Sequence, residues 1–131
     1  MQLRIDYQEI VDIIEKKFKI RPKFTTVDEG AFEVSYRRGN MPNIAVVCRI
    51  ESVSEDIISI TYDCGLAASL MIAGVVAYLD DKIPSGIDVN TAGKYINIYP
   101  QHFKQVAKAL EHFALSDIAL EENTINITLM V

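Results

Sequence analysis

Four stretches in the first half of the chain are candidate β-strands, and the last three of them place apolar residues at every second position. They are separated by short polar turns, such as Asp28-Glu29-Gly30 and Gly39-Asn40, and by a polar segment at residues 51–55. Successive side chains on a strand point to opposite faces, so each stretch can bury one face. Short turns between consecutive strands favour antiparallel pairing. We therefore expect an antiparallel meander, whose four strands comprise residues 24–27, 32–37, 44–51 and 58–64.

The residues before this meander predict a helix. Asp6, with Glu9 three residues later, matches the spacing of a capping box. The helix should end near Phe18, because Arg21 precedes Pro22 and is disfavoured in the helical region. The apolar residues that recur at helical spacing, and that should face the core, are Ile10, Ile13, Ile14 and Phe18.

The second half of the chain predicts two more helices and two hairpins. The hairpins join residues 87–89 to 95–99 and residues 118–120 to 125–131, and Pro100 is placed as the first residue of the third helix. The predicted order is α-ββββ-α-ββ-α-ββ. Runs of strands between helices favour a single α+β domain over residues 1–131, in which an antiparallel sheet of about 6–8 strands carries three helices on one face.

The predicted second helix, residues 66–79, is apolar nearly all round and ends at the polar run Asp80-Asp81-Lys82. Such a helix must be covered on several sides, either by the monomer core or by a partner subunit. The residues that we select for a partner contact are Leu70, Met71, Val75 and Tyr78. The stretch is shorter than the about 20 residues of a membrane span, and acidic residues replace the apolar run of a secretory signal. We therefore expect a cytoplasmic protein without a membrane partner.

Few patterns in the sequence indicate chemistry. The six glycines are too scattered for a phosphate-binding loop, and the two cysteines and two histidines lack metal-ligand spacing. We predict no catalytic residue, no metal and no cofactor. Cys64 lies in Tyr62-Asp63-Cys64-Gly65, at a strand-to-helix junction where a helix N-terminus could activate its thiol. The alternative is that Cys64 is simply buried, as we expect for Cys48.

A second possible site is a basic cluster that consists of Lys16, Lys17, Lys19, Arg21 and Lys23. The functional interpretation is a patch that binds nucleic acid or an acidic partner. The structural interpretation is that these cations favour the C-terminal end of the helix dipole and then line a solvated strand edge. A net charge of −5 makes nucleic acid the less favoured partner.

The order of elements resembles that of the type III secretion chaperones and of bacterial proteins with the same fold. The likeness runs from Asp6-Tyr7-Gln8-Glu9 through Phe32-Glu33-Val34-Ser35-Tyr36 to Pro100 and the helix after it. The final hairpin, residues 118–131, departs from that pattern. The resemblance implies a non-catalytic protein that holds segments of partner proteins as a dimer, and it implies no catalytic residues.

The leading hypothesis is therefore a non-catalytic intracellular protein-binding module, chaperone-like or adaptor-like and dimeric. An alternative is a small ligand-binding protein or enzyme with a pocket near Cys64, because curved α+β sheets often enclose apolar pockets. The third hypothesis is nucleic-acid binding through the basic cluster.

Overall fold

A computed structural model describes residues 1–37, 39–40, 43–78 and 83–131 of the chain. Within these residues the α-helices are α1 (Tyr7–Phe18), α2 (Leu66–Tyr78) and α3 (Lys104–Leu110). The strands are β1 (Gln2–Asp6), β2 (Lys23–Asp28), β3 (Ala31–Tyr36), β4 (Ile44–Val53), β5 (Ile58–Asp63), β6 (Ile87–Asn90), β7 (Tyr95–Ile98), β8 (Ala114–Glu121) and β9 (Thr124–Met130). The predicted end of the second helix at Asp80-Asp81-Lys82 lies outside the described residues.

The described strands form two antiparallel sheets, which confirms the α+β class. The large sheet has the order β2-β3-β4-β5-β7-β6, and the small sheet has the order β1-β9-β8. The six strands of the large sheet lie within the expected number of about 6–8. The structure adds a second, three-stranded sheet, one strand of which, β1, was not predicted. Leu3 and Ile5 of β1 do alternate with polar residues, and Leu3 pairs with Ile127 of β9. Strand β1 has five residues and leads directly into α1. Its last residue, Asp6, therefore also matches the start of a helix.

All three helices lie on one face of the large sheet. Cys48 of β4, together with Ile60 and Tyr62 of β5, forms the buried centre of this inner face, and Ile72 of α2 packs against it. The outer face is polar and carries an ion pair of 2.8 Å between Arg49 and Asp28. The predicted alternation along β4 and β5 is therefore confirmed.

Helix α1 begins where the small sheet meets the edge of the large one. The backbone N–H of Tyr7 donates to the carbonyl of Asn123 at 2.9 Å, and the Tyr7 ring contacts Phe24 of β2 edge to face. The predicted capping box does not form. Asp6 is the N-cap residue, but its carboxylate makes no capping hydrogen bond, because Asp6 is also the last residue of β1 and pairs there with Thr124.

The predicted end of α1 at Phe18 is confirmed, but the predicted apolar face is only partly buried. Tyr7 and Val11 are the buried residues of α1, whereas Ile13 and Phe18 are about half exposed. The side of α1 that packs against β2 is therefore rotated about the helix axis relative to the predicted apolar face. Lys19 ends the helix with a positive φ of 62°, and its N–H donates to the carbonyl of Glu15.

The third helix begins later than predicted. Pro100 opens a short 3-10 turn, Pro100–His102, and α3 begins at Lys104 after an extended Phe103 (φ −99°, ψ 116°). The Phe103 ring lies over Gly86, where an added Cβ would come within 2.6 Å of the ring. This packing holds Phe103 out of the helical conformation and separates the turn from α3. His102 lies beside the Tyr99 ring.

Candidate functional site: the exposed surface of the second helix

Helix α2 exposes large apolar side chains along one side. At the helical repeat, the exposed residues fall within an arc of about 180°. They are Leu66 (79% exposed), Leu70 (68%), Met71 (45%), Val75 (52%) and Tyr78 (79%), and we call them the α2 surface. All four residues selected from the sequence for a partner contact lie on it. The opposite side of the helix, with Ala68 and Ile72, packs on the inner face of the large sheet.

The α2 surface carries no charge, since the 13 residues of the helix include no acidic or basic side chain. Gly74 lies near the middle of the exposed arc, and no atom approaches within 4 Å of the position that a Cβ would occupy. Contiguous exposed apolar residues on a folded protein mark interaction sites far more often than isolated ones do. The geometry therefore offers an uncharged surface with room at Gly74 for the backbone of another helix to approach.

The two cysteines lie under the start of α2. Cys48 is buried, and burial, with a smaller contribution from nearby Cys64, raises the pKa of its thiol to about 11. Cys64 is half-buried and packs against the cluster of Cys48, Ile60 and Tyr62, whereas Asp63 is exposed. The structure does not bring Asp63 and Cys64 together as a nucleophile and its acidic partner, and both cysteines are free thiols.

The basic cluster is brought together only in part. Arg21 forms ion pairs with Asp12 at 3.3 Å and Glu15 at 3.0 Å, which hold the pKa of its guanidinium above the ordinary value. The four lysines of the cluster are exposed. Arg21 and Lys23 also line an open groove of about 590 Å³ between α1 and β2, but Asp6 lines the same groove. Acidic side chains therefore interrupt the positive patch.

An apolar cavity that sequence reasoning missed lies between the small sheet, α3 and the paired ends of β5 and β7. Its volume is about 340 Å³, and we call it the α3 cavity. Its walls include Leu3, Ile98, Phe103, Val106, Leu115 and Leu129. The thirteen lining residues come from five separate segments of the chain, so no local pattern could have grouped them. Cys64 does not line this cavity, although the pocket of the alternative hypothesis was expected near that residue.

In the described part of the chain, no group of three or more His, Cys, Asp or Glu side chains is placed to hold a metal ion. None of its helices is both long and apolar enough to cross a membrane.

Comparison with known proteins does not assign the chain to a family. The chain matches no protein-family model, and neither the curated proteins nor the solved structures include a significant match. The resemblance to type III secretion chaperones stays a prediction from the order of elements, and functional inference has to start from the α2 surface and the α3 cavity.

Proposed function

We propose that this protein is a non-catalytic protein-binding module, adaptor-like or chaperone-like, which acts as a dimer formed through the α2 surface. The observation that carries the proposal is the uncharged arc of five large apolar side chains on α2, of which Leu66 and Tyr78 are each 79% exposed. Burying an exposed apolar surface stabilises a complex by about 25 cal/mol per Å², so this arc favours association.

A second copy of the chain is the occupant that fits the α2 surface best. In a two-fold dimer the same patch contacts itself, and an uncharged apolar helix meets its own copy without like-charge repulsion. Gly74, near the middle of the arc, would allow the two helix backbones to approach closely where they cross.

Such a dimer leaves one edge of the large sheet available for client proteins. Strands β2 and β6 are its two edges. Strand β2 contacts α1 and β8, so β6 is the edge that a client could reach. An edge strand can pair its backbone with an extended segment of another protein, which is a common mode of peptide recognition. In this proposal, α2 mediates self-association and the β6 edge binds clients.

The decisive experiment is sedimentation velocity on the wild type and on two matched valine variants. Val75 of the α2 surface is 52% exposed, and Val27 of β2 is 54% exposed. We expect the wild type and Val27→Glu to be dimers and Val75→Glu to be a monomer, because a carboxylate placed in the apolar contact loses its hydration. Circular dichroism checks that both variants are folded. A wild type that stays monomeric at all concentrations would refute the dimer.

A further inference from the structure

We infer that the α3 cavity is a binding site for an uncharged apolar small molecule. The inference does not depend on the proposed dimer, because the cavity is formed by different elements from those of the α2 surface. The cavity has a volume of about 340 Å³, which lies within the range of about 300–1,000 Å³ that small-molecule sites occupy.

The cavity is closed at one end and open at the other. Leu115 of β8 and Leu129 of β9 form the closed wall and are only 8% and 5% exposed. Leu3 of β1 and Val106 of α3 are 46% and 43% exposed, and they form the rim. A molecule can therefore enter between β1 and α3, where β1 is the edge strand of the small sheet.

The lining decides the chemical class of the ligand. All thirteen residues that line the cavity are apolar, so no lining side chain can donate or accept a hydrogen bond or pair with a charge. A charged or strongly polar ligand would lose its hydration without compensation. Water is also a poor occupant, because a buried water molecule needs two or more polar partners. An uncharged hydrocarbon body is what these walls can stabilise.

The volume sets the size of that body. An apolar cavity of about 150 Å³ is large enough to bind benzene. The α3 cavity, at about 340 Å³, therefore has room for a two-ring aromatic molecule or for an alkyl chain of roughly ten carbon atoms. Because the rim is open, a hydroxyl group at the end of such a chain can stay in water.

The test uses the full chain and the uncharged fluorescent probe N-phenyl-1-naphthylamine, with 1-alkanols as competitors. We expect saturable binding of one probe per chain. Competition should strengthen about fourfold for each added methylene until the chain fills the cavity, and then level off. Absence of saturable binding, or competition that does not depend on chain length, would overturn the inference.

Variants locate the bound probe. Ala109 of α3 lines the cavity and is exposed, so Ala109→Trp should fill the space without disturbing the core and weaken probe binding about tenfold or more. Val106→Lys, at the rim, is a second obstruction in case the tryptophan variant folds poorly. Val75→Glu is the control, because the α2 surface is the other apolar surface to which a probe could adhere.

The two sets of variants separate the possible outcomes. Loss of binding in the Ala109 and Val106 variants, with Val75→Glu within about twofold of the wild type, supports the α3 cavity. Loss of binding in Val75→Glu alone places the probe on the α2 surface and overturns the inference. Probe binding that appears only in the monomeric Val75→Glu variant would also overturn it, because the cavity would then be covered in the native assembly.

Discussion

Helices α1 and α2 are nearly equal in length, with 12 and 13 residues, and they lie on the same face of the large sheet. Their outer sides differ. The outer side of α1 mixes exposed Ile13 with charged neighbours such as Asp12 and Lys16, whereas the outer side of α2 carries only uncharged residues. Isolated exposed apolar side chains among charges, such as Ile13 and Phe18 of α1, are ordinary on a protein surface, but a continuous uncharged arc is not.

The difference shows that exposure alone does not identify an interaction surface. Ile13 is 58% exposed and Val75 is 52% exposed, so the two residues are almost equal by that measure. What distinguishes them is the pattern around them. Charges around Ile13 keep that part of α1 hydrated, whereas nothing in α2 competes with association. The proposal for α2 can therefore be tested against α1 within the same molecule.

The largest expected effect concerns the inner face on which both helices lie. Ile60 belongs to its buried centre, and Ile60→Ala should lower the free energy of unfolding by about 2–5 kcal/mol, because the cavity it leaves adds to the lost burial. Ser59, its neighbour on the other face of β5, is the control, and Ser59→Ala should stay within about 0.5 kcal/mol. Urea unfolding measures both. A near-neutral Ile60→Ala would contradict the assigned faces of β5.

The next largest effect is the pH dependence of stability that Cys48, on the same inner face, should produce. Burial raises the pKa of the Cys48 thiol from 9.0 to about 11 in the folded chain. The unfolded chain therefore loses this proton first, and the stability contributed by the neutral thiol is present below pH 9.0 and lost as the pH rises toward about 11. Between pH 8 and pH 10.5 the wild type should lose about 2 kcal/mol more than Cys48→Val. An identical loss in both proteins would show that Cys48 is not the group that titrates.

The direct comparison of the two outer sides uses one alanine substitution in each helix. Leu70 is 68% exposed and Ile13 is 58% exposed. Leu70→Ala should raise the dissociation constant of the proposed dimer about tenfold, because it would remove contact area from both copies. Ile13→Ala should leave it unchanged. Sedimentation equilibrium measures both constants, and equal effects would remove the distinction between α1 and α2.

Much of the fold could be predicted from local patterns. The alternation of apolar residues along β4 and β5, and the proline that follows α1, are signals within a few residues, and the structure confirms them. The division into two sheets could not be predicted, since it depends on which strands pair across long separations, as β1 and β9 do. Asp6 shows how two local signals can conflict, because a strand end and a helix cap occupy the same residue.

The candidate sites, too, are predictable from the sequence only where a local pattern marks them. The composition of α2 shows that the whole helix is apolar, but only the packing of Ile72 and Ala68 decides which arc faces outward. The α3 cavity has no local signal at all, because its walls meet only in the folded chain. Phe103 illustrates this point. Its spacing places it on the apolar face of a helix, whereas its position over Gly86 removes it from that helix.

The smallest expected effect comes from Gly74, and it has opposite signs in the monomer and in the proposed dimer. Glycine within a helix is less stable than alanine by about 0.5–1 kcal/mol, and the space around Gly74 is open within the chain. In the Val75→Glu background, which we expect to be monomeric, Gly74→Ala should therefore raise the free energy of unfolding by that amount. In the wild-type background it should also weaken the proposed association, because the added methyl group would separate two helices that cross at Gly74. Unfolding and sedimentation of the two proteins measure both effects. If association is unchanged while the monomer gains stability, the two copies do not cross at Gly74.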